Sequence, residues 1–179
     1  MLIIGGGVAG LAAAGPAKNM GANVTGFDVR EAALKDFESM RCKTIQVKVT
    51  EDGEGGGGYA KEMGDEFKKA QYELFLKEIP NMDIVITTAL IPGKPAPKLI
   101  SSEMIERMRP GSVIIDLAAE RGGNADGCVT GEHITTKNGV HIVGYTDLNS
   151  RLPAQSSTMF SNNIHNFLKV KVELAFRRK

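Results

Sequence analysis

The first ten residues constrain the fold of this chain most strongly. An apolar run at residues 2–4 leads into residues 5–10, GGGVAG, which have the spacing G-x-G-x-x-G, and helix-forming residues follow. A strand, a glycine turn and a helix in this order are the context in which the motif binds a dinucleotide. Gly5 would allow the tight turn, Gly7 would let a pyrophosphate approach the backbone, and Gly10 would let the helix pack on the strand. The alternative, a glycine-rich turn without a ligand, is less favoured because both flanking elements are predicted.

The start of the predicted helix also supplies the charge that a pyrophosphate requires. Backbone N–H groups in the first turn of a helix have no partner within the helix, and they lie at the positive end of its dipole. Phosphate oxygens accept hydrogen bonds from such groups. The sequence therefore predicts that the phosphates of a dinucleotide lie against the backbone that follows Ile4.

A carboxylate follows the second predicted strand, residues 23–27. Asp28 lies 18 residues after Gly10. An acidic residue near this spacing accepts hydrogen bonds from the adenosine ribose and repels a 2′-phosphate, which favours NAD over NADP. Arg30 either pairs with a phosphate or stacks beside the adenine. The alternatives are a strand-end cap for Asp28 and a solvated helix start for Arg30.

Composition excludes several classes of protein. The net charge is +1 for 179 residues, which gives no reason to expect a nucleic acid or an anionic membrane as partner. No apolar run approaches the roughly 20 residues that a membrane span needs. Cys42 and Cys128 are far apart in the sequence, and we expect both to be free thiols. The first strand begins at the second residue, so we expect no targeting segment, and the abrupt start favours an excised part of a longer protein.

Hydrophobic patterns predict alternating helices and strands along the rest of the chain. The predicted helices cover residues 8–20, with a break or bend at Gly15-Pro16, and residues 31–40, 65–79, 101–108 and 153–176; the strands cover 23–27, 43–47, 83–87 and 113–116. A hairpin is predicted over 131–144 with its turn at Asn138-Gly139. This order is typical of an α/β Rossmann-like fold, a doubly wound and mostly parallel sheet, here ending in a hairpin and a helix. We expect a dinucleotide-binding domain over 1–150 and a separate C-terminal helix over 151–179.

Two loops lie at the predicted ligand edge of the sheet. Residues 51–59 contain five glycines among acidic residues, a composition that cannot bury enough apolar area to stay ordered. We predict a mobile loop over about 51–64, with Tyr59 able to close over a flat ligand; a plain flexible linker is the alternative. Thr88, Ala89 and Leu90 follow the fourth strand, and ligands of parallel sheets bind outside the carboxyl ends of the strands.

Four further stretches resemble a known family, the proton-translocating nicotinamide nucleotide transhydrogenases. They are residues 58–63, GYAKEM; 87–97, TTALIPGKPAP; 112–118, SVIIDLA; and 143–148, VGYTDL. The resemblance extends to about Val170, and the tail after it has no assigned role. It is a resemblance to the second of two Rossmann-like subdomains in the extramembranous NAD(H)-binding component.

The resemblance implies NAD(H) as cofactor and a set of contact residues. That set is Gly5, Gly7, Val8, Gly10, Asp28, Val29, Arg30, Gly58, Tyr59, Thr88, Ala89 and Leu90. By resemblance, Val8 packs on the nicotinamide end, residues 28–30 hold the adenosine ribose region, and Gly58 and Tyr59 belong to a mobile loop that folds over the nucleotide. Thr88, Ala89 and Leu90 line the pocket wall.

The resemblance also implies a reaction and partners. The family transfers a hydride directly from NADH to NADP⁺ held on another component, coupled to proton passage through a membrane component. We expect no catalytic side chain and no metal, since a hydride passes from one nicotinamide ring to the other. The implied partners are the NADP(H)-binding component, the membrane component and a second copy in a homodimer. The implied location is the bacterial cytoplasmic or mitochondrial matrix side of a membrane, without a segment inserted in it.

The first subdomain of the family has no counterpart in this chain. We therefore expect weaker NAD(H) binding than in a whole component and no hydride transfer by this chain alone. The final helix would lose its cover, so Ile164, Phe167, Leu168 and Leu174 predict self-association or disorder at this end.

Three alternatives remain open at this point. An alanine dehydrogenase shares the fold and would use a catalytic acid in the 116–126 loop. A flavin-binding disulfide-reductase domain opens with similar glycines but usually places Glu after the second strand. A nucleotide-binding fragment without catalysis is the third. His133, His141 and His165 show no metal-ligand spacing.

Overall fold

The sheet is the central element of the computed structural model, which describes residues 1–48 and 63–176. Within these residues seven strands form one sheet in the order β3-β2-β1-β4-β5-β7-β6. The strands are β1 Leu2–Ile4, β2 Thr25–Phe27, β3 Lys43–Thr44, β4 Ile84–Thr87, β5 Val113–Asp116, β6 His133–Thr135 and β7 His141–Val143. The pairs are parallel, apart from the antiparallel hairpin of β6 and β7. The predicted α/β Rossmann-like fold, including its hairpin, is confirmed.

The helices connect the parallel strands and follow the predicted order. They are α1 Val8–Asn19, α2 Glu31–Ser39, α3 Asp65–Glu78, α4 Ser102–Glu106, α5 Leu148–Arg151 and α6 Pro153–Phe176, with 3-10 turns at Ile79–Asn81 and Ala119–Arg121. Helix α1 contains Pro16 and continues to Asn19, so the chain has no break at Gly15-Pro16; a bend at this point stays a prediction. Strands β2 and β3 and helix α4 are shorter than predicted.

Helices cover the parallel part of the sheet on both faces. Leu2 and Ile4 pack in an apolar cluster with Phe75, whereas Ile3 packs in a second cluster with Phe37. Successive residues of a strand point to opposite faces, so a run with no polar residue is required where both faces are covered. Strand β4 lies in the middle of the sheet, and its residues 85–87 are buried.

The chain divides into two units, Met1–Thr146 and Asp147–Lys179. The second contains the short α5 and the long α6. Apolar side chains along the described part of α6 are exposed, among them Phe160, Ile164, Phe167 and Leu168. Among the described residues, no helix combines the length and the apolar character needed to cross a membrane.

Candidate functional site

A cavity of about 1210 Å³ opens at the carboxyl ends of β1, β2 and β4. The order of the sheet reverses between β1 and β4, and such a switch point is where open α/β sheets bind ligands. The cavity brings together Gly5, Gly7, Val8, Asp28, Val29, Arg30, Thr88, Ala89 and Leu90 from the predicted contact set. Gly10 lies behind its lining, whereas Gly58 and Tyr59 and most of the predicted 51–64 loop lie outside the described residues.

The glycine turn owes its shape to missing side chains. Gly5 has a φ of 110°, and a Cβ atom on it would collide with Oγ1 of Thr88. A Cβ atom on Gly10 would collide with the backbone oxygen of Gly5, so α1 packs against the turn at a distance that other residues prevent. A Cβ atom on Gly7 would meet nothing within 4 Å. Gly7 therefore has a different role from the other two, since its missing side chain leaves space open beside the backbone.

The first turn of α1 offers N–H groups to this space. Gly7 occupies the N-cap position, and no side chain caps the helix. In the described residues the amides of Gly7, Val8 and Ala9 donate to no backbone or side-chain acceptor. The positive end of the helix dipole and these N–H groups form a site for an anion. The side chain of Val8 is 90% exposed at the same position.

Asp28 is held at the edge of the cavity by four hydrogen bonds. Its Oδ2 accepts from the Gly6 amide at 2.7 Å and from Nη2 of Arg30 at 2.8 Å, and its Oδ1 accepts from the amide and Nε of Arg30 at 2.9 and 3.0 Å. The carboxylate is almost fully buried, and the Arg30 side chain is 15% exposed. The guanidinium therefore neutralises the carboxylate and covers its second edge.

The segment after β4 forms the facing wall, which we call the β4 rim (residues 88–99). Thr88 is bonded to the end of β1, its amide donating to Ile4 O at 2.9 Å and its hydroxyl to Gly5 O at 3.2 Å. The Ala89 amide donates to Oδ1 of Asn124 at 3.1 Å. Leu90 is 40% exposed and lines the cavity. The rim therefore presents an apolar side chain on a backbone that is bonded on both sides.

Gln71 lines the cavity and was not among the predicted contact residues. It lies on α3, is 8% exposed, and makes no hydrogen bond with any described residue. Among the described residues the enclosed side-chain polar atom without a hydrogen bond is Oγ1 of Thr87, so the Gln71 amide is reached from the cavity and can bond a ligand there. The available signal in the sequence is its position four residues after Phe67 and four before Phe75, where an apolar residue is expected.

The acidic residues of the 116–126 loop do not reach the cavity. Asp116 is completely buried and accepts from the amides of Ala118 and Ala125 at 3.0 and 2.9 Å. Burial, with the nearby Asp116 carboxylate, raises the pKa of the Cys128 thiol to about 11. Asp126 accepts from the Ser102 amide. Asp116 and Asp126 therefore maintain the fold, whereas Glu120 is exposed, and none of the three lines the cavity.

The hairpin brings two histidines together that the sequence left apart. Nε2 of His133 lies 3.0 Å from Nδ1 of His141 across the strands. In the described part of the chain no group of three or more potential metal ligands occurs. Both cysteines are free thiols, as predicted.

The strand order, the glycine turn and the carboxylate after β2 define this chain as a Rossmann-like α/β domain. Comparison of sequences narrows the class: residues 1–177 match the family described as "Alanine dehydrogenase/PNT, C-terminal domain", and the chain belongs to that family. Family and fold together indicate a nicotinamide nucleotide as cofactor.

Among its relatives are subunits of transhydrogenases. The chain is 48% identical over 170 residues to the NAD(P) transhydrogenase subunit alpha of Haemophilus influenzae, and the match covers 95% of this chain and 33% of that protein. It is 51% identical over 170 residues to the NAD(P) transhydrogenase subunit alpha of Cereibacter sphaeroides, covering 94% and 32%. An alanine dehydrogenase of Staphylococcus epidermidis is more distant, with 34% identity over 168 residues, covering 90% and 39%. The chain thus spans less than half the length of these relatives.

Solved structures agree with this grouping. A transhydrogenase from Sinorhizobium meliloti superposes with a TM-score of 0.74 at 39% identity, covering 97% of this chain and 44% of the other. An L-alanine dehydrogenase superposes with a TM-score of 0.71 at 24% identity and supports the fold alone.

Proposed function

We propose that this chain binds NAD(H) in the cavity and forms the NAD(H)-holding part of a proton-translocating transhydrogenase. In that assembly it presents NADH to NADP⁺ held on another component at the surface of a membrane. The observation that carries the proposal is the open, uncapped glycine turn, which lies beside the switch point and bonds directly to Asp28 through the Gly6 amide. Relatives of high identity that are named as transhydrogenase subunits support the choice of reaction.

The phosphates are assigned to the start of α1. The amides of Gly7, Val8 and Ala9 need acceptors, and the space beside Gly7 is open. A pyrophosphate supplies oxygens for these N–H groups, and its charge is favoured by the helix dipole. Gly10 acts indirectly, because it permits α1 to begin close to β1.

The adenosine ribose is assigned to Asp28. The four hydrogen bonds on this carboxylate occupy both of its oxygens, so ribose hydroxyls must share or replace the donors of Arg30. A 2′-phosphate would meet the carboxylate, but the paired guanidinium weakens the repulsion. We therefore expect a preference for NADH over NADPH of about tenfold, smaller than an unpaired carboxylate would give.

The adenine is assigned to the region of Gln71. Its amide offers donors and an acceptor that are unused among the described residues, and adenine carries the matching groups on its edge. Binding would then give hydrogen bonds to an amide that makes none with the described residues.

The nicotinamide end is assigned to the mouth between Val8 and Leu90. Both side chains are exposed in the cavity lining, so they can contact an apolar ring face without covering it. Bound NADH supplies the hydride, and the protein orients it and excludes water. Placement of two reactants can lower a barrier by as much as about 11 kcal/mol, so no acid or base is required of these residues.

The proposal is tested by titration of the chain with NADH and NADPH. The unsubstituted chain is expected to bind NADH about tenfold more tightly than NADPH, and Asp28→Asn is expected to bring the two affinities within about threefold. Asp83→Asn is the matched control, since Asp83 is exposed and pairs with Arg109 away from the cavity. Absence of binding, equal affinities before substitution, or a yellow protein carrying flavin would contradict the proposal.

Turnover is the second test. An assay with NADPH and an NAD analogue should show no hydride transfer by this chain alone, because the second nucleotide is held by another component. Activity in that assay would contradict the proposal that NADP⁺ is held on another component.

A further inference from the structure

Asn124 lies outside the cavity lining but is bonded to three points of its wall. It is completely buried in the segment after β5. Its Nδ2 donates to Ala89 O at 2.9 Å and to Pro97 O at 2.8 Å, and its Oδ1 accepts from the Ala89 amide at 3.1 Å. One side chain therefore holds both polar groups of the Ala89 peptide backbone and joins the start of the β4 rim to its end.

The backbone of Asn124 is also bonded to the segment that follows β4. Its carbonyl oxygen accepts from the amides of Leu99 and Ile100 at 2.8 and 3.0 Å. Every hydrogen bond named here for Asn124 thus reaches the segment that follows β4. Ala89 and Pro97 line the cavity and Leu90 follows Ala89 directly. Other bonds also hold the rim, such as that from the Ala96 amide to Arg121 O, but Asn124 is the residue whose side chain joins its start to its end.

We propose that Asn124 is a positioning residue that keeps the β4 rim in the shape the nucleotide requires. The expected effect on NADH affinity rests on the proposed function. Its physical basis is independent of the ligand: a side chain that satisfies both groups of the Ala89 backbone fixes the direction in which Leu90 leaves it. A rim released from this attachment would have to be ordered by the nucleotide, and the entropy of that ordering would lower the affinity.

The test uses two asparagines that donate through their amides to backbone carbonyls. Asn124→Asp keeps the size of the side chain but removes the donors to Ala89 and Pro97. Asn138→Asp is the matched control, because Asn138 donates to the carbonyls of Ile105, Glu106 and Met108 at the end of α4, away from the cavity. Both changes should lower the melting temperature. Affinity for NADH should fall about tenfold for Asn124→Asp and stay within about twofold for Asn138→Asp.

Hydrogen exchange in the ligand-free protein supplies a readout that a general loss of stability would not give. In Asn124→Ala the Ala89 amide loses its acceptor and should exchange at least about tenfold faster, while the amides of β1 keep their rates. Unchanged exchange at Ala89, or an equal loss of affinity in Asn124→Asp and Asn138→Asp, would overturn the proposal. If the unsubstituted chain binds no NADH, the proposed function fails, and the exchange rates still decide whether Asn124 holds the rim.

Discussion

The two walls that face each other across the cavity are built in opposite ways. The glycine turn is shaped by missing side chains: Gly5 and Gly10 allow a close approach, and Gly7 leaves open space. The β4 rim is shaped by side chains from elsewhere, with Asn124 bonded to Ala89 across 35 residues of sequence. The glycines that shape the first wall lie within six consecutive residues, although Gly5 also packs against Thr88. The attachment through Asn124 that shapes the second wall forms only when two distant segments fold together.

This difference teaches which changes each wall tolerates. Where backbone atoms are in close contact, as at Gly5 and Gly10, an added Cβ atom causes a clash and lowers the stability of the whole fold. Where hydrogen bonds hold the wall, removing one bond lowers the free energy of unfolding only slightly, because each contributes on the order of 1 kcal/mol. Substitutions in the two walls should therefore separate loss of stability from loss of affinity.

The largest effect is expected at Gly10. Gly10→Ala places a Cβ atom against the Gly5 carbonyl oxygen and should lower the free energy of unfolding by about 3 kcal/mol or more. Denaturant unfolding measures it. Gly15→Ala in the same helix is the control, since its Cβ would meet only Cε of Met40 at 3.6 Å, and it should raise stability by up to about 1 kcal/mol. Equal stability of the two variants would show that the turn is not closely packed.

An intermediate effect is expected at Gln71, which belongs to neither wall. Gln71→Leu should lower the affinity for NADH about tenfold, while the free energy of unfolding changes by less than about 1 kcal/mol because the amide makes no hydrogen bond with the described residues. Glu73→Gln is the control on the same helix, since Glu73 is exposed and lies outside the cavity lining. Calorimetric titration and thermal unfolding measure the two quantities. An unchanged affinity in Gln71→Leu would remove the adenine assignment.

The smallest effect is expected at Lys98, which adds one more attachment to the β4 rim. Its Nζ donates to the carbonyls of Gly122 and Ala125 at 2.7 and 3.2 Å. Lys98→Met should lower the free energy of unfolding by about 1 kcal/mol and the NADH affinity about twofold, because this side chain is exposed. Lys137→Met is the control, since Lys137 makes no hydrogen bond or ion pair with the described residues. A tenfold loss at Lys98 would make it the principal attachment of the rim in place of Asn124.

The same contrast explains how much of the fold could be predicted. Strands β1 and β5 are short apolar runs, and the structure has the predicted bounds for both. Strand β3 pairs with β2 over only two residues, Lys43 and Thr44, and is shorter than its apolar pattern predicts. Helix α4 ends at Glu106 rather than at Met108. The side chain of Asn138, more than 30 residues later, donates to the carbonyl groups at that end, and the sequence around α4 does not predict this contact.

The candidate site divides in the same manner. The glycine turn and Asp28 could be predicted because a spacing of residues encodes their chemistry. The pairing of Arg30 with Asp28 is also local, but its bidentate geometry is not visible in a sequence. Gln71 and Asn124 could not be assigned, since their importance comes from burial and from distant partners. Their roles in binding remain predictions, as do those of the glycines, Asp28 and the β4 rim.

The central claim is that a dinucleotide's phosphates lie against the backbone at Gly7. Gly7 has a φ of −85° and a ψ of −172°, which valine adopts readily, and its added Cβ atom would meet no other group within 4 Å. Titration of Gly7→Val with NADH is the most direct test. We expect a melting temperature within about 2 °C of the unsubstituted chain and an affinity for NADH lower by at least about tenfold. Binding as tight as in the unsubstituted chain would contradict the claim.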